Sequence, residues 1–333
     1  MRIGLTYDIK DDMAAVSGLP EDAFEEYDLP ETVEALAAAI GSQGHDVVRL
    51  GGGHNFLVNV LTGKPDLVFN IAEGRGNYRS REAQVPSVLE MLGIPYSGSD
   101  PLTLAVALEK PLTKELVERV GVATPRCRVV SSGTQMEQLD WSDFTFPVFV
   151  KPAHEGSSKG IRSASRVENL AELSRLMAHQ MKLYIQPMMV EEYIAGEEIT
   201  VGMVGNDPPH IVGIMRVVPK TRQEDFVYSL EVKRNWREMV TYECPAKLPE
   251  STLQKIREAC FKIYSVLGVR DLARIDFRIA ADGIPYFLEI NPLPGLNPKS
   301  GDIVLMAGLA GWSYEKLISS ILNSALRRYG YVT

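Results

Sequence analysis

Two short stretches carry the residue types most suited to chemistry, Arg274-Ile275-Asp276 and Glu289-Ile290-Asn291. Each lies in an apolar run of strand character. Alternation along a strand puts Arg274 and Asp276 on one face, and likewise Glu289 and Asn291. If the two strands pair as a hairpin across Ala281-Asp282-Gly283, one face gathers two carboxylates, an amide oxygen and a guanidinium. Hard oxygen ligands of this kind suit Mg²⁺, which takes a few oxygens from protein and the rest from phosphates. The arginine would stabilise negative charge on a transferring phosphoryl group or a tetrahedral oxyanion. A solvated surface hairpin laced by salt bridges is the other reading of the same residues.

A second stretch, Phe149-Val150-Lys151-Pro152-Ala153-His154-Glu155-Gly156-Ser157-Ser158-Lys159-Gly160, ends a buried strand on a lysine and continues as a loop of small residues. Glycine and serine let backbone N–H groups approach a phosphate, and the lysine adds a point charge. It is not the GxxxxGK[ST] loop of P-loop enzymes. Read alone, it is equally an ordinary surface turn, and His154 within it reads as a neutral hydrogen-bonding neighbour. A third stretch, Glu191 to Thr200, is an acidic cluster running into a strand. It is either a hinge that hydrogen-bonds a nucleobase and ribose or a charged turn.

These residues need elements to position them. Strand-like runs at Arg2–Tyr7, Asp46–Leu50 and Asp66–Ile71 alternate with helical patterns at Glu31–Ser42 and Gln84–Leu92, which predicts a doubly wound sheet. Such sheets bind ligands beyond the carboxyl ends of their strands. Here those ends are Tyr7–Asp12 and Ala72–Glu82, both polar. A second lobe starts near Gly98, with a helix over Leu102–Val120, a strand over Phe146–Pro152, a helix over Val167–Met177 and a short strand at Leu183–Gln186. A third begins near Val190. It carries strands at Glu198–Val204, Ile211–Val217, Met239–Tyr242, Ala273–Ile279 and Pro285–Glu289, and helices at Ser251–Leu267 and Tyr314–Arg328. The domains expected are 1–98, 99–188 and 189–333. The charged stretch Pro219–Glu238 reads as a mobile loop over a site.

The chain has 333 residues, 45% hydrophobic and 23% charged, the mix of a soluble globular protein. A net charge of −8 argues against a nucleic-acid partner, which calls for a basic face. No apolar run is long enough to cross a bilayer, and no leader of basic-then-apolar character is read at the N-terminus. Cys127, Cys244 and Cys260 show no metal spacing. Reduced thiols in a cytoplasmic protein are the expectation.

Taken in order, these residues resemble the ATP-grasp superfamily, and within it the D-alanine–D-alanine ligases. The resemblance runs from about Gly93 to Leu322. It rests on Gly98-Ser99-Asp100 leading to Lys110, the Lys151 loop, Glu191 to Glu198, Arg274 to Asp276, and Glu289 to Gly295. It implies an α/β, ATP-grasp fold: a doubly wound N-terminal domain plus two α+β lobes clamping ATP. It implies a carboxylate–amine ligase acting on small amino-acid-like substrates through an acyl phosphate, with ATP and two Mg²⁺ ions. A homodimer through apolar surface on the N-terminal lobe is compatible with it.

The resemblance assigns roles residue by residue. Lys110 and Lys151 would contact the ATP phosphates, and Ser157 and Ser158 would sit in the loop over the γ-phosphate. Glu191 and Ile194 would line the adenine pocket, and Glu198 would bind the ribose. Lys233 corresponds to a lysine on the mobile loop. Asp276, Glu289 and Asn291 would hold the metal ions, Arg274 and the Gly295 N–H would form the oxyanion hole, and Ser300 would meet the second substrate's carboxylate.

Departures fall on the substrate side. The family's glycine-rich first motif has no counterpart in Thr6 to Asp12. Its His-Gly segment is replaced by Asn70 to Glu82. Its loop tyrosine falls on Arg234, and its leucine after Ser300 on Gly301. A different substrate pair is therefore expected. Glu73 and Glu82 would hold an amino group, and Arg79 and Arg81 a carboxylate, unless these charges only pair with one another. D-alanine–D-alanine ligase itself, a phosphotransferase on the same scaffold, and a non-catalytic nucleotide-binding subunit are the alternatives. The full Arg274, Asp276, Glu289 and Asn291 set argues against the last.

Overall fold

The computed structural model describes residues 1–10, 18–221 and 226–332. Asp11 and Asp12, at the expected end of the first strand, and residues 222–225 of the expected mobile loop lie outside the described residues.

The N-terminal lobe is a parallel sheet of β1 (Arg2–Thr6), β2 (Asp46–Gly51) and β3 (Leu67–Asn70), in the order β2-β1-β3. All four residues of β3 are buried, as in a sheet covered on both faces. Three helices join it: α1 (Pro30–Gly41), α2 (Gly53–Gly63) and α3 (Gln84–Leu92). Helix α1 buries Thr32, Val33, Leu36, Ala39 and Ile40, a stripe at helical spacing. Helix α3 ends on Gly93 in the left-handed region, φ 66°. Helix α2 was not anticipated from the sequence.

The helix expected over Leu102–Val120 is two, α4 (Pro101–Leu108) and α5 (Lys110–Arg119). Pro111 has no N–H to give to the preceding turn, and its ring crowds that turn's carbonyl. Glu109 therefore leaves helical geometry, ψ 83°. The break turns the Lys110 N–H onto the Ala153 carbonyl at 3.1 Å, tying the helix start to the loop that follows Lys151.

The central sheet is antiparallel: β4 (Cys127–Val130), β5 (Val148–Pro152), β6 (Arg166–Val167) and β7 (Met188–Glu192), in the order β4-β7-β5-β6. Helices α6 (Gly133–Gln138) and α7 (Leu170–Tyr184) accompany it. The strand expected at Leu183–Gln186 does not form. Leu183 and Tyr184 close α7, Ile185 is left-handed (φ 52°), and the strand begins only beyond Pro187. Helix α7 also starts later than expected, capped by the Asn169 side chain on the Glu172 N–H at 3.0 Å.

The C-terminal sheet holds β8 (Glu197–Val204), β9 (His210–Pro219), β10 (Val240–Glu243), β11 (Leu272–Ile279) and β12 (Pro285–Asn291). Its order is β10-β9-β8-β11-β12. Short helices α8 (Leu230–Arg234) and α9 (Trp236–Met239) precede β10. The long helix α10 (Glu250–Val266) follows it, and α11 (Asp302–Leu309) and α12 (Tyr314–Arg328) close the chain.

The cores cross the expected domain limits. Ile303, Leu317, Ile318, Ile321 and Leu322 pack with Ile3, Leu5, Val33 and Leu36, so α11 and α12 complete the N-terminal core. Ala107 and Val117 of α4 and α5 pack with Val201, Ile263, Ile275 and Phe277, beneath the C-terminal sheet. Each such fully buried aliphatic side chain contributes about 1.5–3 kcal/mol. The limit at 98/99 separates the N-terminal sheet from the other two, whereas 188/189 falls inside β7 of the central sheet, and neither limit separates hydrophobic cores.

Candidate active site

A cleft of about 750 Å³ opens between the central and C-terminal sheets. Phe149, Ile194, Ile199, Val217 and Leu288 give it apolar walls. Lys151, Ser158, Glu191, Glu198, Lys233, Asp276 and Glu289 give it polar ones. A flat apolar base with a polyanionic tail fits this division.

Its cations are held by buried carboxylates. Glu191 lies between Lys151 at 2.7 Å and Lys114 at 2.9 Å. Burial pushes the Glu191 carboxyl up, but the two lysines outweigh it and hold it ionised, below its usual range. Burial likewise opposes charge on Lys151, and Glu191 and Glu289 overcome this, so its pKa is raised. Lys110 reaches Glu289 at 3.3 Å and donates to the Glu155 carbonyl. Burial works against ionisation of Glu289 too. Lys110, Lys151, Lys233 and Arg274 overcome it and bring its pKa to about 2.

Strands β11 and β12 pair with Arg274 opposite Asn291 and Asp276 opposite Glu289. The four polar residues therefore share one face, which fronts the cavities rather than bulk solvent. The salt bridges of the second sequence reading are present, but its solvent exposure is not. Arg274 is salt-bridged, to Asp276 at 2.9 Å and to Asp302 at 3.3 Å, yet the hairpin is no solvated turn. Asp276 also accepts from the Thr200 hydroxyl at 2.6 Å.

The loop after β5 places Ser157 and Ser158 consecutively in the left-handed region, φ 49° and 58°. This geometry turns successive N–H groups toward one side. Ser158 faces the cleft, and Ser157 a second cavity. Burial lowers the His154 pKa to about 4, so this imidazole is neutral.

The second cavity, about 1290 Å³, lies between the hairpin and the N-terminal lobe. Glu73, Lys233, Arg234, Arg274, Asn291, Gly295, Ser300 and Asp302 border it, with Glu25, Glu26 and Asp28 opposite. A smaller one, about 390 Å³, joins Glu73 and Glu82 to Lys110, Ser157, Glu289 and Asn291.

One group of expected substrate residues is corrected. Arg81 is 1% exposed and bonded to Glu26 at 2.7 Å, Glu155 at 3.1 Å and the His154 carbonyl at 3.1 Å. Its fork is saturated by the protein, so it cannot take a substrate carboxylate. Arg79 is exposed and borders none of these cavities. Arg234 borders the second cavity, but its guanidinium pairs with Glu25 at 2.8 Å and Glu21 at 3.2 Å. Glu73 and Glu82 are different: neither carboxyl has a hydrogen-bond or ion-pair partner among the described residues. Burial, then repulsion from Glu82 and Glu26, raises the Glu73 carboxyl well above its usual range.

Four residues at the site were missed. Lys114, one helical turn after Lys110, reads as a second solvated lysine. Arg278 holds Glu198 at 3.5 Å and the Phe226 carbonyl at 3.1 Å; its signal was the alternation Arg274, Asp276, Arg278. Tyr228 and Asp302 lacked any sequence signal beyond nearness to Lys233 and Ser300.

The chain is similar to proteins of a known family. The family model for the D-ala D-ala ligase C-terminus matches residues 116–323. The uncharacterized protein y4sG of Sinorhizobium fredii is 34% identical over 89% of this chain and 88% of its own length. The D-alanine–D-alanine ligase of Aquifex aeolicus is 33% identical, over 88% of this chain and 94% of that one. Among solved structures, the Bacillus anthracis D-alanine–D-alanine ligase complexed with ATP superposes with a TM-score of 0.72 at 24% identity, covering 98% of both chains. The VanG D-Ala:D-Ser ligase of Enterococcus faecalis superposes at 0.70, with 20% identity, over 97% of this chain and 99% of that one.

Proposed function

This chain belongs to the D-alanine–D-alanine ligase family of ATP-grasp enzymes, and on that footing we propose that it joins two small amino-acid-like substrates through an acyl phosphate. The observation that carries the proposal is the common wall of the two cavities. The Arg274, Asp276, Glu289 and Asn291 face stands between a cleft suited to a nucleotide and a cavity bordered by the unpaired carboxyl of Glu73.

In this reading the adenine lies among Phe149, Ile194 and Ile199, and Glu198 meets the ribose. Lys110, Lys151 and Lys233, with the N–H groups around Ser157 and Ser158, hold the phosphates. Positioning and charge neutralisation do most of the work. Asp276, Glu289 and Asn291 fit Mg²⁺ by donor chemistry, being two carboxylates and an amide oxygen. No three His, Cys, Asp or Glu side chains cluster as a metal site among the described residues, so phosphate oxygens and water would complete the coordination. Bound there, the ions would neutralise charge on the phosphates. Arg274 and the Gly295 N–H would face the oxyanion of the acyl-transfer step, and Ser300 the acceptor's carboxylate.

Glu73, backed by Glu82, would hold the donor's amino group, since a bound ammonium supplies the partner both lack. The substrate pair would differ from two D-alanines, because Arg234 in place of the loop tyrosine is committed to Glu21 and Glu25. The exposed Leu57, Val58 and Leu61 of α2 support a homodimer, which light scattering in solution checks.

The test is phosphate release with ATP, Mg²⁺ and a panel of amino acids and dipeptides, singly and in pairs, with mass spectrometry of the products. An amide-linked product from a pair other than D-alanine supports the proposal. The dipeptide from D-alanine alone would restore the parent activity. A stable phosphorylated product without coupling would make the protein a phosphotransferase.

A further inference from the structure

Two side chains border both the nucleotide cleft and the substrate cavity: Lys233 and Asp302. A γ-phosphate in one cavity and an acceptor in the other would meet at that wall. Lys233 suits the phosphate. Asp302 is the carboxylate that the two cavities share, and the roles assigned above leave it unused.

The chain places Asp302 with some care. It is the first residue of α11, where the helix N-terminus favours a negative charge. Gly301 before it is where the segment from Gly295 folds back. A Cβ there would lie 2.4 Å from the Gly295 carbonyl oxygen and 3.0 Å from that of Asn297. One Asp302 oxygen faces Arg274 at 3.3 Å, and the other accepts from the Tyr228 hydroxyl at 3.4 Å. That hydroxyl is itself 2.7 Å from the Tyr242 hydroxyl. The carboxylate is thus oriented beside the guanidinium that faces the oxyanion.

We propose that Asp302 is the general base of acyl transfer, taking the proton from the acceptor's ammonium group. The inference rests on the ligase reading above. An ammonium nitrogen has no lone pair, so it must lose a proton to attack. The neutral nitrogen then bonds to the acyl carbon and gives up its second proton to solvent or to the departing phosphate, the carbon–oxygen bond to phosphate breaks, and phosphate leaves with the electron pair. The proton held by Asp302 passes to solvent or to the departing phosphate, which resets the site. The other carboxylates stand elsewhere. Asp276 and Glu289 border the nucleotide cleft and not the large cavity, and Glu73 and Asp28 border the large cavity and not the cleft.

The experiment compares two acceptors in the unchanged protein, Asp302→Asn and Asp302→Glu, with ATP, Mg²⁺ and D-alanine or another panel amino acid as donor. One acceptor is the amino acid that couples. The other is hydroxylamine, which is already a neutral nucleophile at pH 8 and needs no base. In Asp302→Asn, hydroxamate formation is expected to stay within about twofold, while coupling to the amino acid falls by about 100-fold or more. Asp302→Glu is expected to recover part of the coupling. Equal loss with both acceptors would overturn the proposal and leave Asp302 a counter-ion of Arg274. No loss with either would overturn it as well. If the unchanged protein makes neither hydroxamate nor amide with any donor, the ligase reading fails first and takes this inference with it.

Discussion

Glu82 is 6% exposed and without a partner among the described residues. Burial pushes its pKa up to about 7, against the attraction of Arg81. Between pH 4.5 and pH 7 the folded protein therefore binds more protons at this site than the unfolded chain does. Stability falls as pH rises through that window, and the whole penalty stands above it. Glu82→Gln removes the penalty. Urea unfolding is expected to show the variant more stable than the parent at pH 8 by roughly 1–2 kcal/mol, with the gap closing toward pH 5. A gap independent of pH would mean that the carboxyl finds a partner in solution. Arg81 shows the opposite arrangement a residue away. Its charge is matched by Glu26 and Glu155, and removal of such a partner leaves buried carboxylates behind.

At the scale of elements, the segment from Gly295 to Gly301 is the one the proposed function assigns to the acceptor. It holds the N–H expected at the oxyanion and turns into α11. The turn needs a residue without a Cβ at 301, because the Gly295 carbonyl occupies that space. Gly301→Ala is expected to displace the segment and raise the acceptor KM about tenfold or more. Acyl-phosphate formation, read as hydroxamate, should stay near its parent rate, since the β11–β12 hairpin is untouched. Loss of both activities together would show that the segment also supports the nucleotide half. The break at Glu109 is the same kind of device. One proline divides a helix, and the start of the second half is tied to the loop that follows Lys151.

At the scale of the molecule, three separate parts of the chain are joined by ion pairs beside the second cavity. Arg234 reaches Glu25 and Glu21. Arg162 reaches Glu21 at 2.9 Å, Asp22 at 3.1 Å and Glu231 at 3.7 Å. Lys159 reaches Glu26 at 2.9 Å. The exposed pairs contribute about 0–1 kcal/mol each and are screened by salt. If they hold the α8 region down, the ATP KM should rise roughly three- to tenfold between low salt and about 0.5 M NaCl. Arg234→Ala should start from the higher value and respond less to salt. A KM indifferent to both changes would show that the region is held by the packing of Phe226, Val232 and Val240 alone.

The sequence alone placed the β11–β12 hairpin, the Lys151 loop and the N-terminal βα alternation, because each is written in local periodicity and residue type. Helix α12 was readable to the residue, and α3 likewise, since strong amphipathic patterns end there at clear stops. The lobes to which α4, α5, α11 and α12 belong were not readable, because a helix's apolar stripe does not say which sheet will cover it. The state of each charge was equally out of reach. Arg81 and Glu82 are neighbours of opposite sign and read alike as substrate ligands. The fold surrounds one with Glu26 and Glu155 and leaves the other facing a cavity. Those partners lie 55 and 74 positions from Arg81 in the chain, and only tertiary packing brings charges so separated within bonding distance.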